Sequence, residues 1–397
     1  MKKVLVYFTQ FDQALGGSEF TPLAFAAELQ KSCEVTLALN WRSDVRKAAE
    51  TLGIQLNFDA LKIEYVKPEN KFLQKLDAVL PFYRTRKLKQ LAKHADLCIS
   101  TANMFDFGKP AHHFVYLLRL FGDNAFCDHL CGRPAPHGMK AFVKGIKTWL
   151  AESILRPMLG IRSTRKILAD PREHIYPTSR YVEKVMRGFY GDFNSTVFYP
   201  PTIFEFTGSE IQRDPLQIVC LGQLFPEKRL LDVIEIVERA RKISGLDLKL
   251  TLGGPLNGSA YVAHLKELSA EKKWLRLAGP VYGKEKEKFM LSAAYALHAE
   301  KDEAFGIAIA EYLKAGNIPL VPDTGGPLEI VDNRSLVFHS NDEAAQTLAR
   351  LLQDADFREE QRRRCAERAK SFTCEAYGER QRNLIARIVE SAKGDNP

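Results

Sequence analysis

The sequence predicts an α/β protein built as two doubly wound parallel-sheet units, and three observations carry the prediction. Short apolar runs alternate with longer amphipathic stretches, as parallel strands and their crossover helices do. The alternation halts at Tyr199-Pro200-Pro201-Thr202 and a polar stretch running to Pro215, and then starts again. The 397 residues are enough for two domains or more at about 150 residues each. A hydrophobic content of 45% and a charged content of 27% exclude a disordered, collagen-like or coiled-coil chain.

Each element has its own reason. Residues 4–8 follow Met1-Lys2-Lys3 and read as a first strand, because the apolar run is too short for a signal peptide. A turn at Gly16-Gly17-Ser18-Glu19 leads into a helix over 18–30, with Ser18 as N-cap and Pro22 in the first turn. Strands are predicted at 35–39, 97–100 and 114–118, and an aperiodic loop at 120–140. Basic amphipathic helices are predicted within 62–93 and 139–166. Residues 1–204 form the first domain and 205–373 the second.

In the second domain, strands at 217–221, 248–252, 275–278 and 296–298 alternate with helices at 230–243 and 284–292. A helix over 306–315, strands at 318–321 and 336–338, and helices at 341–353 and 355–371 follow. A last helix, from 374 toward 397, returns to the first domain. In such folds ligands bind outside the carboxyl ends of the strands, so a cleft between the two domains is the expected site.

The most informative stretch is Glu303-Ala304-Phe305-Gly306-Ile307, followed by Glu311. A helix starting at Gly306 offers the amides of Phe305, Gly306 and Ile307 to a diphosphate. Glu303 in the preceding loop can bond a sugar hydroxyl, and Glu311, one turn into the helix, can accept from vicinal ribose hydroxyls. An amphipathic helix with an ordinary surface glutamate reads the same way in isolation. Two further strand-to-helix loops accompany it. Gly222-Gln223-Leu224-Phe225-Pro226-Glu227-Lys228 carries a cation able to neutralise phosphate, and Asp323-Thr324-Gly325-Gly326-Pro327 is a glycine-rich turn.

Taken in order, G-x-L-x-P-E-K, L-G-G-P, L-A-G-P-V, E-A-F-G-I-x₃-E and T-G-G-P-x-E-I-V resemble the retaining glycosyltransferases of family GT4, which have the GT-B architecture of two facing Rossmann-like domains. Gly16-Gly17-Ser18-Glu19, Tyr176-Pro177-Thr178-Ser179-Arg180-Tyr181, Val197 to Pro201 and Phe372-Thr373-Cys374-Glu375 are similar to further segments of that family. The resemblance implies that Glu303 contacts the donor sugar, Glu311 the ribose, and the amides of Phe305 to Ile307 the diphosphate. It implies that Lys228 holds the diphosphate charge, that Gly16 and Gly17 close over it, and that 253–255 and 279–282 border the base. It further implies metal-independent, cofactor-free transfer with retention of the anomeric configuration. Four departures stand out. Gln223 replaces the family's arginine, Arg229 replaces a glycine and is expected to compensate, and His298-Ala299-Glu300 replaces a Pro-Ser pair. Leu118-Arg119 stands where the family has a histidine, which makes Arg119 the acceptor-side candidate.

The net charge of +8 is unevenly distributed. Residues 1–204 carry 29 basic and 19 acidic side chains, and the remainder 28 and 30, so the surplus lies on the expected acceptor side. A lipid-linked or surface-glycan acceptor at an anionic membrane suits it, as does an ordinary solvated face; no nucleic-acid motif accompanies the charge. Seven cysteines without regular spacing argue against a disulfide framework, and Cys127, Cys131 and His137 are too loosely spaced for a zinc site. No window is apolar enough to span a bilayer, which predicts a cytoplasmic protein, peripheral on the inner face of the membrane if it binds one. Transfer to a small soluble acceptor, or a degenerate fold that binds glycan or nucleotide without turnover, are the alternatives.

Overall fold

The computed structural model describes residues 1–11, 17–68, 70, 82–115, 150, 154–207 and 211–394. The chain divides into two compact units, Met1–Ile203 with Tyr377–Pro397, and Phe204–Ala376.

The first unit is a parallel sheet in the order β3-β2-β1-β4-β5-β6. Its strands are β1 (Lys2–Phe8), β2 (Cys33–Leu39), β3 (Lys62–Tyr65), β4 (Leu97–Ser100), β5 (His112–Val115) and β6 (His174–Pro177). Val4 pairs with Val35 on one side and Leu97 on the other, so β1 is central and needs apolar side chains on both faces. The helices are α1 (Gly17–Leu29), α2 (Val45–Thr51), α3 (Phe82–Ala92), α4 (Thr164–Leu168) and α5 (Arg180–Tyr190). Leu23, Phe25, Ala26 and Leu29 of α1 enter a core shared with Val4, Val6 and Phe8. Tyr377, Leu384, Ile385 and Ile388, from the helix Cys374–Gly394, complete that core. Phe114 stacks edge-on to Phe25 at 4.8 Å and to Phe198 at 5.5 Å, and Phe198 to Tyr377 at 5.7 Å.

Some expectations are corrected here. Helix α1 already includes Gly17, so Ser18 lies inside it and is not its cap; the Ser18 hydroxyl donates to Glu19 instead. The 62–93 stretch is not one basic helix, because Lys62–Tyr65 pairs with β2 as an edge strand and only Phe82–Ala92 is helical. Within 139–166, the described part is also broken. A helical turn at Arg156–Met158 ends before Gly160, whose φ is +65°, and Ser163 caps a new helix, α4. Several of these cations are used inside the unit. Arg162 pairs with Asp106 at 2.8 Å and Glu173 at 2.7 Å, and Lys89 pairs with Asp106 at 2.6 Å. Residues 116–118 of the expected strand, the loop 120–140 with Cys127, Cys131 and His137, and Lys140, Lys144 and Lys147 lie outside the described residues.

The second unit repeats the architecture in the order β12-β11-β10-β7-β8-β9. Its strands are β7 (Asp214–Leu221), β8 (Lys249–Gly253), β9 (Leu275–Gly279), β10 (Ala293–Leu297), β11 (Ile318–Pro322) and β12 (Val337–Phe338). Its helices are α6 (Leu230–Ser244), α7 (Ala260–Glu271), α8 (Gly283–Leu291), α9 (Ile307–Lys314), α10 (Pro327–Val331), α11 (Asn341–Gln353) and α12 (Ala355–Ala369). The helix Cys374–Gly394, α13, follows. Strand β10 lies between β7 and β11, which brings the loops that leave those three strands side by side at one end of the sheet. Among the described residues, no helix is long and apolar enough to cross a membrane.

Candidate functional site

Three loops at the carboxyl ends of β7, β10 and β11 build the site. The first leaves β7 at Gly222, whose amide donates to Gly253 O at 3.0 Å, and makes a 3-10 turn over Pro226–Lys228. Arg229 then takes a left-handed conformation, with φ +52°, before α6 begins. That backbone favours glycine, so a residue with a side chain here is held at a conformational cost. The Arg229 guanidinium pairs with Asp232 at 2.8 Å. Gln223 is exposed in the loop, and its carbonyl accepts from the Phe225 amide at 2.9 Å.

The second loop leaves β10 through His298, Ala299 and Glu300, and delivers Glu303. Lys228 Nζ donates to Glu303 Oε2 at 2.8 Å and also to the Glu300 carboxylate. His298, buried, has its Nε2 3.3 Å from Glu303 Oε2. Four side chains from two strand ends therefore converge. Burial opposes the charge on Lys228, but Glu303 and Glu300 hold its pKa above the usual lysine value. Burial also works against the Glu303 carboxylate, yet the neighbouring His298 imidazole, the Glu300 carboxyl and the charge of Lys228 keep its pKa well below the ordinary one. Glu300 goes the other way, pushed up to about 8 by burial and by its bond and charge contact with Glu303. At neutral pH Glu300 thus keeps its proton, and Lys228, Glu303 and Glu300 together carry no net charge. The ligand atoms of His298, Glu300 and Glu303 lie within 4.8 Å of one another, a spacing a divalent ion could also span, and the Lys228 ammonium touches both glutamate side chains.

The third loop supports the second. Gly326 N donates to Glu303 O at 2.8 Å, and a β-carbon on Gly326 would lie 2.5 Å from Ala304 O and 2.7 Å from Phe305 Cα. Only glycine lets the two loops approach this closely. Gly306, at φ +97°, then turns the chain into α9. Within the first turn of α9 the Ile309 amide donates to Gly306 O at 2.9 Å, and the helix start follows directly on the loop that carries Glu303, a position that suits an anion. Phe305 is buried against Phe372, with ring centroids 6.3 Å apart, which fixes the entry to the helix.

Glu311 sits further along α9 and is only 4% exposed. Its partner is Lys286 of α8, at 2.5 Å, and burial raises its pKa even though Lys286 opposes the rise. Lys286 also stands 4.7 Å over the Phe204 ring. Sequence reasoning missed Lys286, because nothing in a lysine- and glutamate-rich helix marks one cation as the partner of a residue 25 positions on. Tyr312, the neighbour of Glu311, accepts a hydrogen bond from the Leu221 amide at 2.5 Å and ties α9 to the end of β7.

Thus Lys228, Glu303, Phe305, Gly306 and Ile307 are brought to one end of one sheet, joined by His298 and Glu300, while Glu311 is drawn to Lys286. Gly17 belongs to the first unit, where its carbonyl accepts from Thr21 Oγ1 at 3.1 Å. Gly16 and Arg119 lie outside the described residues.

Solved structures give the class first. The chain matches a crystal structure of Anabaena HepE in complex with UDP and glucose at a TM-score of 0.64 and 13% identity, covering 98% of this chain and 100% of that one. It matches sucrose-phosphate synthase from Thermosynechococcus elongatus at 0.63 and 14%, covering 98% of this chain and 100% of that one. The fold is therefore that of the GT-B glycosyltransferases, with two parallel six-stranded sheets and their helices. The family model described as Glycosyl transferases group 1 matches residues 203–372, most of the second unit. Among curated proteins, the chain is 29% identical over 147 residues to the GDP-Man:Man(3)GlcNAc(2)-PP-Dol alpha-1,2-mannosyltransferase of Eremothecium gossypii, covering 34% of this chain and 25% of that protein. The Xenopus laevis protein of the same name is 32% identical over 158 residues, covering 35% of this chain and 32% of its own. The chain spans between a quarter and a third of the length of these two relatives.

Proposed function

We propose that this protein is a retaining glycosyltransferase of the GT4 kind, moving a sugar from a nucleotide-sugar donor to a lipid-linked or surface glycan without a metal. The observation that carries the reading is the cluster of Lys228, Glu303 and Glu300 beside the start of α9, with Glu311 further along the same helix. In this reading the diphosphate lies at the amides of the α9 start. Lys228 exchanges a carboxylate for a phosphate oxygen as the sugar–phosphate bond lengthens and charge builds on the leaving group. Glu303, kept ionised by His298 and Lys228, orients the sugar through a hydroxyl. Glu311 releases Lys286 or shares it while accepting from the ribose.

The lipid-linked acceptor is supported by the relatives, whose names carry a dolichyl-diphosphate glycan, and by the positive surplus of residues 1–204. Their names also carry GDP-mannose, which makes it the first donor to test beside UDP-, ADP- and CMP-sugars. Residence on the cytoplasmic face of a membrane belongs to the same proposal. With the donor that most raises the melting temperature, Glu303→Ala and Lys228→Ala are each expected to lower sugar transfer at least a hundredfold. Transfer within threefold of the wild type by either variant overturns the site assignment.

A further inference from the structure

The second unit holds a cavity at the end of its sheet opposite the three loops. Its floor is formed where β7, β10 and β11 begin, by Pro215, Ala294, Tyr295 and Ile318, and one wall is α12. Its volume is about 610 Å³. Strands of five residues at about 3.3 Å per residue put it roughly 15 Å from the Lys228 cluster.

Four guanidinium groups ring this apolar floor, from Arg213, Arg358, Arg362 and Arg363. Arg213 donates to the carbonyls of Ala293 at 2.7 Å, Gly316 at 2.9 Å and Ala315 at 2.5 Å. Arg358 donates to those of Leu351 at 3.0 Å and Leu352 at 3.1 Å. Carbonyls satisfy N–H groups but leave the formal charge uncancelled. Arg362 pairs with Glu359 at 3.0 Å, and Arg363 makes no ion pair or hydrogen bond with the described residues. One carboxylate thus faces four cations around a single cavity. Burial and the nearby charge of Arg362 lower the pKa of Arg213, as expected where positive charge accumulates. The cavity at the loop end of the sheet, beside Arg229 and Arg239, differs, since those two cations are paired with Asp232, Glu235 and Asp342.

We propose that this cavity binds a phosphate ester on an apolar body, the phosphate on Arg362 and Arg363 and the apolar part over Tyr295 and Ile318. Guanidinium forks match phosphate oxygens two at a time, and an apolar floor beneath them favours an amphiphile over a bare ion. The site is separate from the donor site and stands whether or not the proposed transfer is right.

Isothermal titration of the full chain with dihexanoyl phosphatidic acid, below its micelle concentration, tests it. Saturable binding is expected, at least tenfold weaker for Arg362→Glu/Arg363→Glu and at least threefold weaker for Arg363→Ala alone. Both substitutions are on exposed side chains and are expected to leave the melting temperature and nucleotide binding unchanged. Three results would each overturn the proposal: no binding of phosphatidic acid, equal binding by wild type and both variants, or inorganic phosphate binding as tightly as phosphatidic acid.

Discussion

At the scale of single residues, Glu300 governs how the cluster responds to pH. Its pKa of about 8 lies above the ordinary carboxylate value, so between roughly pH 4.5 and 8 the folded state holds a proton the unfolded chain has lost. The stability this contributes is complete below that window and is lost as the pH rises through it. Glu303 has the opposite sign: its contribution is present above the ordinary carboxylate pKa and is lost as the pH falls through its lowered one. Once Glu300 ionises, the cluster turns from neutral to negative and repels a diphosphate. Nucleotide diphosphate binding by the wild type is expected to weaken several-fold between pH 7 and pH 9.5. Glu300→Gln, with no proton to lose, is expected to remove most of that slope; an equal slope in calorimetric titrations of both proteins would count against the assignment. Lys228, Glu303 and Glu311 were legible because they stand at fixed spacing around strand ends. The convergence of His298 and Glu300 on Lys228 was not, since it depends on β10 lying beside β7, which no local pattern records.

At the scale of elements, the loops of the candidate site owe their shape to their neighbours. Gly326→Ala would push a β-carbon against the backbone of Ala304 and Phe305, neither of which is a flexible side-chain end. It is expected to cost about 1–3 kcal/mol and to weaken nucleotide binding, because the loop that must move carries Glu303 and the α9 start. Gly258→Ala is the control: a β-carbon there meets nothing within 4 Å, and a change within about 0.5 kcal/mol is expected in urea denaturation. Long central strands and capped helices were legible. Helix α11 was read at its observed bounds, and β1 and β7 differed only at their starts. The edge strands of the first unit were not. Lys62-Ile63-Glu64-Tyr65 is too short and too charged to declare a period of two, and His174-Ile175-Tyr176-Pro177 ends in a proline that only an edge or a strand end tolerates.

At the scale of the whole molecule, the chain closes on itself. Ile388 is 2% exposed in the core of the first unit although it follows the entire second unit in sequence. Ile388→Ala is expected to cost the first unit about 2–5 kcal/mol and to leave the second nearly untouched. Calorimetry would then show one transition moving down and the other staying, and equal shifts in both would contradict the partition of α13. The contact between Thr21 and Tyr377, 356 residues apart, has a further consequence during synthesis. A ribosome emits the first Rossmann-like half early, but its core lacks α13 until residues 377–394 have left the exit tunnel. The second half, needing nothing made after residue 376, is free to fold first. The half that is made first is finished last, and until then its exposed apolar face is what chaperones meet.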